Sequence, residues 1–238
     1  MLIAKQLSRG FVRQGEWRYV LNGLDLAVNE GEFFVILGQS GCGKSTLLRL
    51  LGGFDAPDGG SVTLGEAPIT VPNKDLMMVF QSFDQLFPWF TLQKNIAYAL
   101  RKTGVETNAT HAAALSQKSL DEVGLGAFAK SYPHQLSGGM KQRAALARAL
   151  ALHPRVLLMD EPFSSLDYLT RQSAQNTLRA LWKTSGAAVV LVTHDIEEAL
   201  CLGQRIAILS GGRIDSIYPN DGSIVQLKDV LEKQLTVL

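Results

Sequence analysis

The chain is short of cysteine, of net charge and of long apolar runs. Cys42 and Cys201 are its 2 cysteines, too few for a disulfide framework, and a cytosolic compartment is the simple reading. The 23 Lys and Arg against 22 Asp and Glu leave a formal charge of +1, which excludes the basic excess of an electrostatic nucleic-acid binder. No stretch approaches the ~20 consecutive apolar residues that cross a bilayer. The runs from Ala144 to Leu152 and from Ala187 to Val192 are too short. The opening Met1-Leu2-Ile3-Ala4-Lys5 lacks the apolar stretch of a signal peptide. Repeats, low-complexity segments and Cys/His spacings of a zinc site are also missing. A chain of this kind that serves a membrane is expected to do so through partner chains.

What is present is an apolar core. A hydrophobic content of 46% over 238 residues fits one large α/β domain, or one domain with a subdomain. The most informative segment is Gly38-Gln39-Ser40-Gly41-Cys42-Gly43-Lys44-Ser45-Thr46, which follows the apolar run Phe33-Phe34-Val35-Ile36-Leu37. A buried strand feeds a glycine turn, and the turn opens a helix near Lys44. The glycines allow successive N–H groups to point inward as an anion nest, and the helix start adds its positive end. Lys44 is placed to reach the β- and γ-phosphates of a nucleotide, and the Ser45 hydroxyl to hold Mg²⁺.

Strand-like segments surround this loop. Ile3 to Leu7 reads as a strand, Gly10 to Gly15 as a turn, and Val20 to Val28 as an alternating strand. Pro57-Asp58-Gly59-Gly60 reads as a turn before the strand Ser61 to Leu64, and Leu76 to Phe80 as a buried strand. Residues 92–130 are Ala- and Leu-rich with helical spacing, and a helix runs from about Gly138 to Leu152 with Ser137 as its N-cap. Strands follow at Val156 to Met159, Ala187 to Thr193, Arg205 to Leu209 and Arg213 to Tyr218. They alternate with helices at Tyr168 to Thr184 and Ile196 to Leu202, and the tail from Gln226 to Leu238 reads as one short helix. The pattern implies a parallel-sheet core with a helical insert near residues 82–150.

Two further segments carry chemistry. Val156-Leu157-Leu158-Met159-Asp160-Glu161 is a buried strand ending in two carboxylates, at the end where α/β sheets place ligands. Asp160 suits Mg²⁺ and Glu161 a general base for water; alone, the pair also reads as a solvated loop start. In Leu136-Ser137-Gly138-Gly139, two glycines at a helix start leave N–H groups bare for a γ-phosphate beside the Ser137 hydroxyl, or the segment is only an N-capped helix. Two anion sites in one chain suggest head-to-tail pairing, each copy closing over the other's nucleotide.

Together these segments resemble the nucleotide-binding ATPase subunit of ABC transporters, over residues 3–218. The phosphate loop at 38–46, Gln81 after a strand, Leu-Ser-Gly-Gly at 136–139, Asp160-Glu161, Ser165-Leu166-Asp167 and His194 after a strand stand in the family's order. The resemblance implies an α/β phosphate-loop cassette. Its mixed sheet core has an N-terminal antiparallel part and a helical subdomain at about 82–150. The domain covers 1–220, followed by a tail over 221–238. It implies ATP and Mg²⁺ as cofactors, Gln81 on Mg²⁺ and the attacking water, His194 on the γ-phosphate, Asp167 at the dimer interface and Phe11 stacked on adenine, with Trp17 and Tyr19 as runners-up. By resemblance the partners are a second copy of the chain, transmembrane permease subunits and, indirectly, a periplasmic or extracellular solute-binding protein, with no nucleic acid. The expected location is the cytoplasmic face of the plasma membrane.

The aromatic segment from Phe80 to Phe90 either packs the insert or receives a partner helix, and the resemblance places Phe87 and Trp89 near that groove. Phe87-Pro88-Trp89, Tyr132-Pro133-His134-Gln135, Met140 and Asp160-Glu161-Pro162-Phe163 resemble importers of nitrate, sulfonates, taurine and bicarbonate, and share features with importers of pyrimidine precursors. Ser164-Ser165 departs from the Gly-Ala of many relatives. The chain ends about twenty residues past Tyr218, which implies that the long regulatory domain of many sugar-importer ATPases is lacking. A non-transport ABC ATPase, a small-molecule kinase and a binding module without turnover are the rival readings, the last opposed by the presence of Lys44, Asp160, Glu161 and His194. His111 reads as a surface residue, His153 as structural, and His134 as shaping the loop before Ser137.

Overall fold

A computed structural model describes residues 1–82, 85–221 and 224–237. In chain order it contains β1 (Leu2–Arg13), β2 (Glu16–Val28), β3 (Phe33–Leu37), α1 (Lys44–Leu51), β4 (Gly59–Leu64), β5 (Ala67–Pro68), β6 (Leu76–Val79), α2 (Leu92–Lys102), α3 (Ala109–Glu122), α4 (Gly138–Leu150), β7 (Val156–Asp160), α5 (Tyr168–Ser185), β8 (Ala188–Thr193), α6 (Ile196–Leu202), β9 (Arg205–Ser210), β10 (Arg213–Pro219) and α7 (Ile224–Val237). Short 3₁₀ turns at Gly126–Phe128 and Pro133–Gln135 lead into α4. No helix among the described residues is long and apolar enough to cross a membrane. Leu238, at the end of the expected tail helix, and Phe83 and Asp84, in the aromatic segment, lie outside the described residues.

The strands form two sheets. A six-stranded sheet runs β10-β9-β3-β8-β7-β6, and a four-stranded antiparallel sheet runs β2-β1-β4-β5. In the larger sheet β3 pairs in parallel with both β8 and β9, and β7 with both β6 and β8, while β10 is an antiparallel edge. The parallel core is therefore mixed at one margin, where a tight turn after β9 returns the chain against its neighbour. The central strands β3, β7 and β8 are buried at every position, as a sheet covered on both faces requires. Alternate residues serve different cores: Phe34 and Ile36 join the antiparallel sheet and α1, whereas Phe33, Val35 and Leu37 face α5, α6 and α7.

The first hairpin differs from the expected turn at Gly10 to Gly15. β1 continues through Gly10 to Arg13, and Gln14 and Gly15 alone make the reversal, both with positive φ (54° and 82°). Such a two-residue reversal matches the right-handed twist of its strands. The segment expected to be helical over 92–130 divides at Gly104 into α2 and α3, with Thr91 and Asn108 capping their first turns. Their buried faces make a separate core with Leu86, Leu136 and the alanines of α4. Helix α4 belongs to two cores, because Leu146 and Ala149 face the large sheet while Ala144, Ala145 and Ala147 face the insert.

Buried Asn95 ties the aromatic loop to this insert. Its Oδ1 accepts from Phe87 N at 2.8 Å, and its Nδ2 faces the carbonyls of Phe87, Phe90 and Thr91, each at 3.1 Å. Asn95→Ala leaves half-buried backbone groups unpaired and is expected to cost about 1–3 kcal/mol. Urea unfolding checks this, and a loss under about 0.5 kcal/mol would mean that the loop does not depend on that side chain.

Candidate nucleotide site

Three loops meet where β3, β7 and β8 end. In register, Leu37 stands opposite Thr193 and Asp160 opposite Val192, so their last residues finish at one edge of the sheet. Backbone hydrogen bonds stitch the loops together: Gly38 N donates to Thr193 O at 3.2 Å, and Glu161 N to Val192 O at 3.1 Å. Gly43 caps α1 with φ 110°, a backbone conformation that favours glycine. Gly38 is needed for a different reason, since a Cβ there would lie 2.7 Å from both Cys42 Sγ and Leu209 O. Cys42 is half-buried beneath the loop, and burial pushes its thiol pKa up.

The side chains of these loops converge. Lys44 is buried, and its Nζ donates to Gly38 O at 2.8 Å and Gln39 O at 3.0 Å, with Glu161 Oε1 at 3.2 Å. The second carboxylate oxygen, Glu161 Oε2, lies 2.9 Å from His194 Nδ1. An ionised carboxylate only accepts, so a hydrogen bond here to ionised Glu161 requires the tautomer with its proton on Nδ1. Glu161 has φ 41°, in the left-handed region that non-glycine residues avoid, and this turns its backbone sharply out of β7. Ser45 Oγ donates to Asp160 Oδ1 at 3.0 Å. Burial raises the pKa of Asp160 above the usual carboxylate range; the Ser45 hydrogen bond opposes the shift, the Glu161 charge adds to it and Lys44 opposes it. Gln81 Nε2 donates to Ser164 Oγ at 3.3 Å, and that hydroxyl donates to Glu161 O at 3.0 Å.

A cavity of about 350 Å³ opens over this cluster, lined by Phe11, Val20, Ser40, Gly41, Lys44 and Gln81 among others, including Gly43, Ser45, Thr46 and Glu161. Phe11 pairs with Arg18 across the hairpin, which puts Trp17 and Tyr19 on the opposite face. Ser137, Gly138, Gly139 and Asp167 do not line it. Ser137 Oγ accepts from Met140 N at 3.3 Å, capping α4, and exposed Asp167 accepts from Thr170 N at 3.1 Å, capping α5. Hydrogen bonds from Thr170 hold the Asp167 carboxyl below its usual range. The two helix starts lie side by side, because a Cβ on Gly139 would run into Thr170 Cγ2.

The sequence profile of the family described as ABC transporter matches residues 21–164. The chain belongs to the ABC transporter family. The nitrate import ATP-binding protein NrtC of Synechococcus elongatus is 44% identical over 212 residues, 89% of this chain and 32% of that protein. The bicarbonate transport ATP-binding protein CmpC of the same organism is 43% identical over 209 residues, 87% of this chain and 31% of the relative. This cassette thus spans about a third of the length of those two relatives. The nitrate import ATP-binding protein NrtD of Synechocystis sp. is 42% identical over 204 residues, 86% of this chain and 76% of that one. In three dimensions the cassette matches the dimeric structure of MJ0796, a bacterial ABC transporter cassette, with a TM-score of 0.83 at 33% identity, covering 93% of this chain and 100% of that one.

Several residues of this cassette escaped sequence reasoning. Val20 reaches the cavity through a register shift in β2, which alternation alone does not signal. Arg171 joins Asp195 Oδ2 at 3.0 Å to Leu166 O at 3.2 Å, linking the loop before α5 to the one that carries His194. Arg148 is half-buried; its Nη1 donates to Gln85 O at 2.8 Å and its guanidinium lies 5.8 Å from the Phe87 ring. The aromatic segment splits between its two expected fates, since Leu86 is buried in the insert whereas Trp89 is 66% exposed. His153 is exposed at a left-handed turn after α4 (φ 50°), not packed as a structural residue; His134 stacks on Tyr132, and exposed His111 faces Glu106 at 3.7 Å.

The raised pKa of Asp160 has a consequence for stability. The folded chain holds that proton to higher pH than the unfolded chain, so this contribution is full below about pH 4 and is lost as pH rises through the folded value. Asp160→Asn removes the ionisable group but keeps an acceptor for Ser45. The variant is expected to gain stability relative to the parent as pH rises above the ordinary carboxylate range, and to match it near pH 4. Denaturant unfolding in chelator across pH measures this, and a pH-independent difference would contradict it.

Proposed function

We propose that this chain is the ATP-hydrolysing subunit of an importer for a small anion, working as a pair of identical chains on the inner face of a membrane. The observation that carries the reading is the joint placement of Lys44, Ser45, Asp160, Glu161 and His194 at the ends of three adjacent strands, beside a cavity with Phe11 at its side. Nitrate and bicarbonate in the names of the similar proteins support a small inorganic anion as the transported solute, with sulfonates and taurine as related candidates. In this reading residues 1–220 are the ATPase domain, 82–150 its helical part and 221–238 a tail.

Each residue has a role set by its chemistry. The nest from Gly38 to Thr46, with Gln39, Ser40, Gly41, Cys42 and Gly43, cradles the phosphates, and Lys44 neutralises their charge. Phe11 stacks on adenine. The donor set fits a magnesium ion: one buried carboxylate whose ionised form burial disfavours, a hydroxyl at 3.0 Å from it and the Gln81 amide nearby are what an ion sharing substrate phosphates uses. Held there, Mg²⁺ supplies neutralisation of the charge that develops on the transferring phosphoryl group. Glu161 takes the proton of the attacking water. His194 fixes the Glu161 carboxylate from one side and contacts the γ-phosphate from the other. The left-handed backbone at Glu161 and its hold on both oxygens preorganise the base.

Ser137, Gly138 and Gly139 complete the site of the partner copy. They stand outside this chain's own cavity, at a helix start with exposed Ser137, next to Asp167 at the head of α5. ATP then binds across two chains, and hydrolysis loosens them. The aromatic loop around Phe87 and Trp89 meets the permease.

Glu161→Gln tests the chemistry. The variant is expected to bind MgATP, to lose at least about 100-fold in turnover and to run as a dimer on size exclusion with ATP. Near-normal turnover would remove Glu161 as the base, and a strictly monomeric chain at saturating ATP would remove the shared site. The solute is tested by reconstituting the subunit with its permease and binding protein in vesicles. Nitrate, bicarbonate or taurine is expected to stimulate ATP hydrolysis, and stimulation by none of them would remove the small-anion reading.

A further inference from the structure

The orientation of Phe11 is not a local property of its strand. Arg9 pairs with Leu21 but Gly10 pairs with Tyr19, so Val20 is an extra residue on β2 and the hairpin changes register between Arg9 and Gly10. Phe11 follows directly after that shift. The hairpin beyond it is exposed, with Val12 at 66%, Trp17 at 53% and Tyr19 at 56%. A strand pair broken at a bulge and open to solvent has little of its own to fix the angle of its tip.

Asp58, in the turn before β4, spans the break. Its Oδ1 accepts from Arg9 Nη1 at 2.8 Å and its Oδ2 from Gly10 N at 2.7 Å, while its own N donates to Ser8 O at 2.9 Å. One carboxylate thus grips the residue on each side of the shift. The Arg9 guanidinium in turn lies over the Phe11 ring, 5.1 Å from its centroid. Arg9 Nε is buried and has no partner among the described residues. The side chain forgoes one hydrogen bond in the place where it pairs with Asp58 and covers the ring. On the other face of the hairpin, glycine at position 10 makes room for Trp17, since a Cβ there would sit 2.6 Å from the indole.

We propose that Arg9, held by Asp58, is a positioning residue that fixes Phe11 as the platform for the nucleotide base. The guanidinium closes one face of the ring, and Phe11 lines the cavity together with Val20 and Lys44. Because Asp58 already pairs with its charge, Arg9 serves the base and not the phosphates. This inference rests on the reading that Phe11 stacks on adenine, and it separates affinity for the base from affinity for the phosphate chain.

Equilibrium titration of the full chain with MgADP and with magnesium pyrophosphate distinguishes the two affinities without turnover. Phe11→Ala is expected to weaken ADP about 5- to 20-fold and pyrophosphate by less than about twofold. Arg9→Gln is expected to weaken ADP about 3- to 10-fold, again leaving pyrophosphate within about twofold, and Arg9→Lys to recover most of the loss. Combined with Phe11→Ala, Arg9→Gln is expected to add nothing. Asp58→Asn, which keeps an acceptor, moves the ADP-to-pyrophosphate ratio the same way to a smaller extent and serves if Arg9→Gln does not fold. Parent-like ADP affinity in Arg9→Gln, with Phe11→Ala impaired, overturns the positioning role and leaves the stacking intact. No loss in Phe11→Ala removes the stacking and the proposal with it. Equal losses for ADP and pyrophosphate in Arg9→Gln overturn the proposal in favour of general collapse of the hairpin.

Discussion

One carboxylate is held from two sides, and the rest of the site is arranged around it. Each oxygen of Glu161 has its own partner, Lys44 Nζ at 3.2 Å and His194 Nδ1 at 2.9 Å, and each partner stands on a different loop. This is possible only because β3, β7 and β8 run parallel in register and end at the same edge. A shift of one strand by one residue would turn its side chains to the other face and pull the loops apart. The buried apolar strands therefore do more than fill a core; their register sets the positions of Lys44, Glu161 and His194.

The helical insert stands on a separate core but is not loosely attached. Helix α4 shares its apolar residues between the insert and the large sheet. Arg148 on α4 and Asn95 on α2 grip the Gln85–Phe90 loop from two directions through half-buried polar contacts. A buried side chain that satisfies several backbone groups is costly to remove and rigidifies what it binds. The exposed Trp89 thus sits on a loop fixed to the helix that begins with Ser137 and Gly138. On the proposed reading, a surface fixed in this way can pass a movement of that helix to the permease.

Local energetics and function pull in opposite directions at two places. Glu161 adopts a backbone conformation that costs on the order of 1–3 kcal/mol for a non-glycine residue. Asp160 is a buried carboxylate whose ionised form its surroundings disfavour. Both stand at the end of one strand, where the stability of the surrounding sheet tolerates them. On the proposed reading, groups fixed in place before ligand arrives need less reorganisation when charge develops beside them.

Much of this was legible in the chain itself. The phosphate loop, the apolar strands, the Ser137 cap and the two carboxylates at the end of β7 are short-range patterns, and short-range chemistry determines them. Glycine spacing, N-capping hydroxyls and runs of five or six apolar residues act within a few neighbours. Only the tertiary structure decided that Phe11 and not Trp17 or Tyr19 faces the cavity, because a register shift at Val20 selects the face. It alone brought His194 to Glu161 across 33 residues and Asp58 to Gly10 across 48, and packed Gly139 against Thr170. Those outcomes depend on strand register and on the close approach of distant segments, and neither is written in the identity of any one neighbourhood.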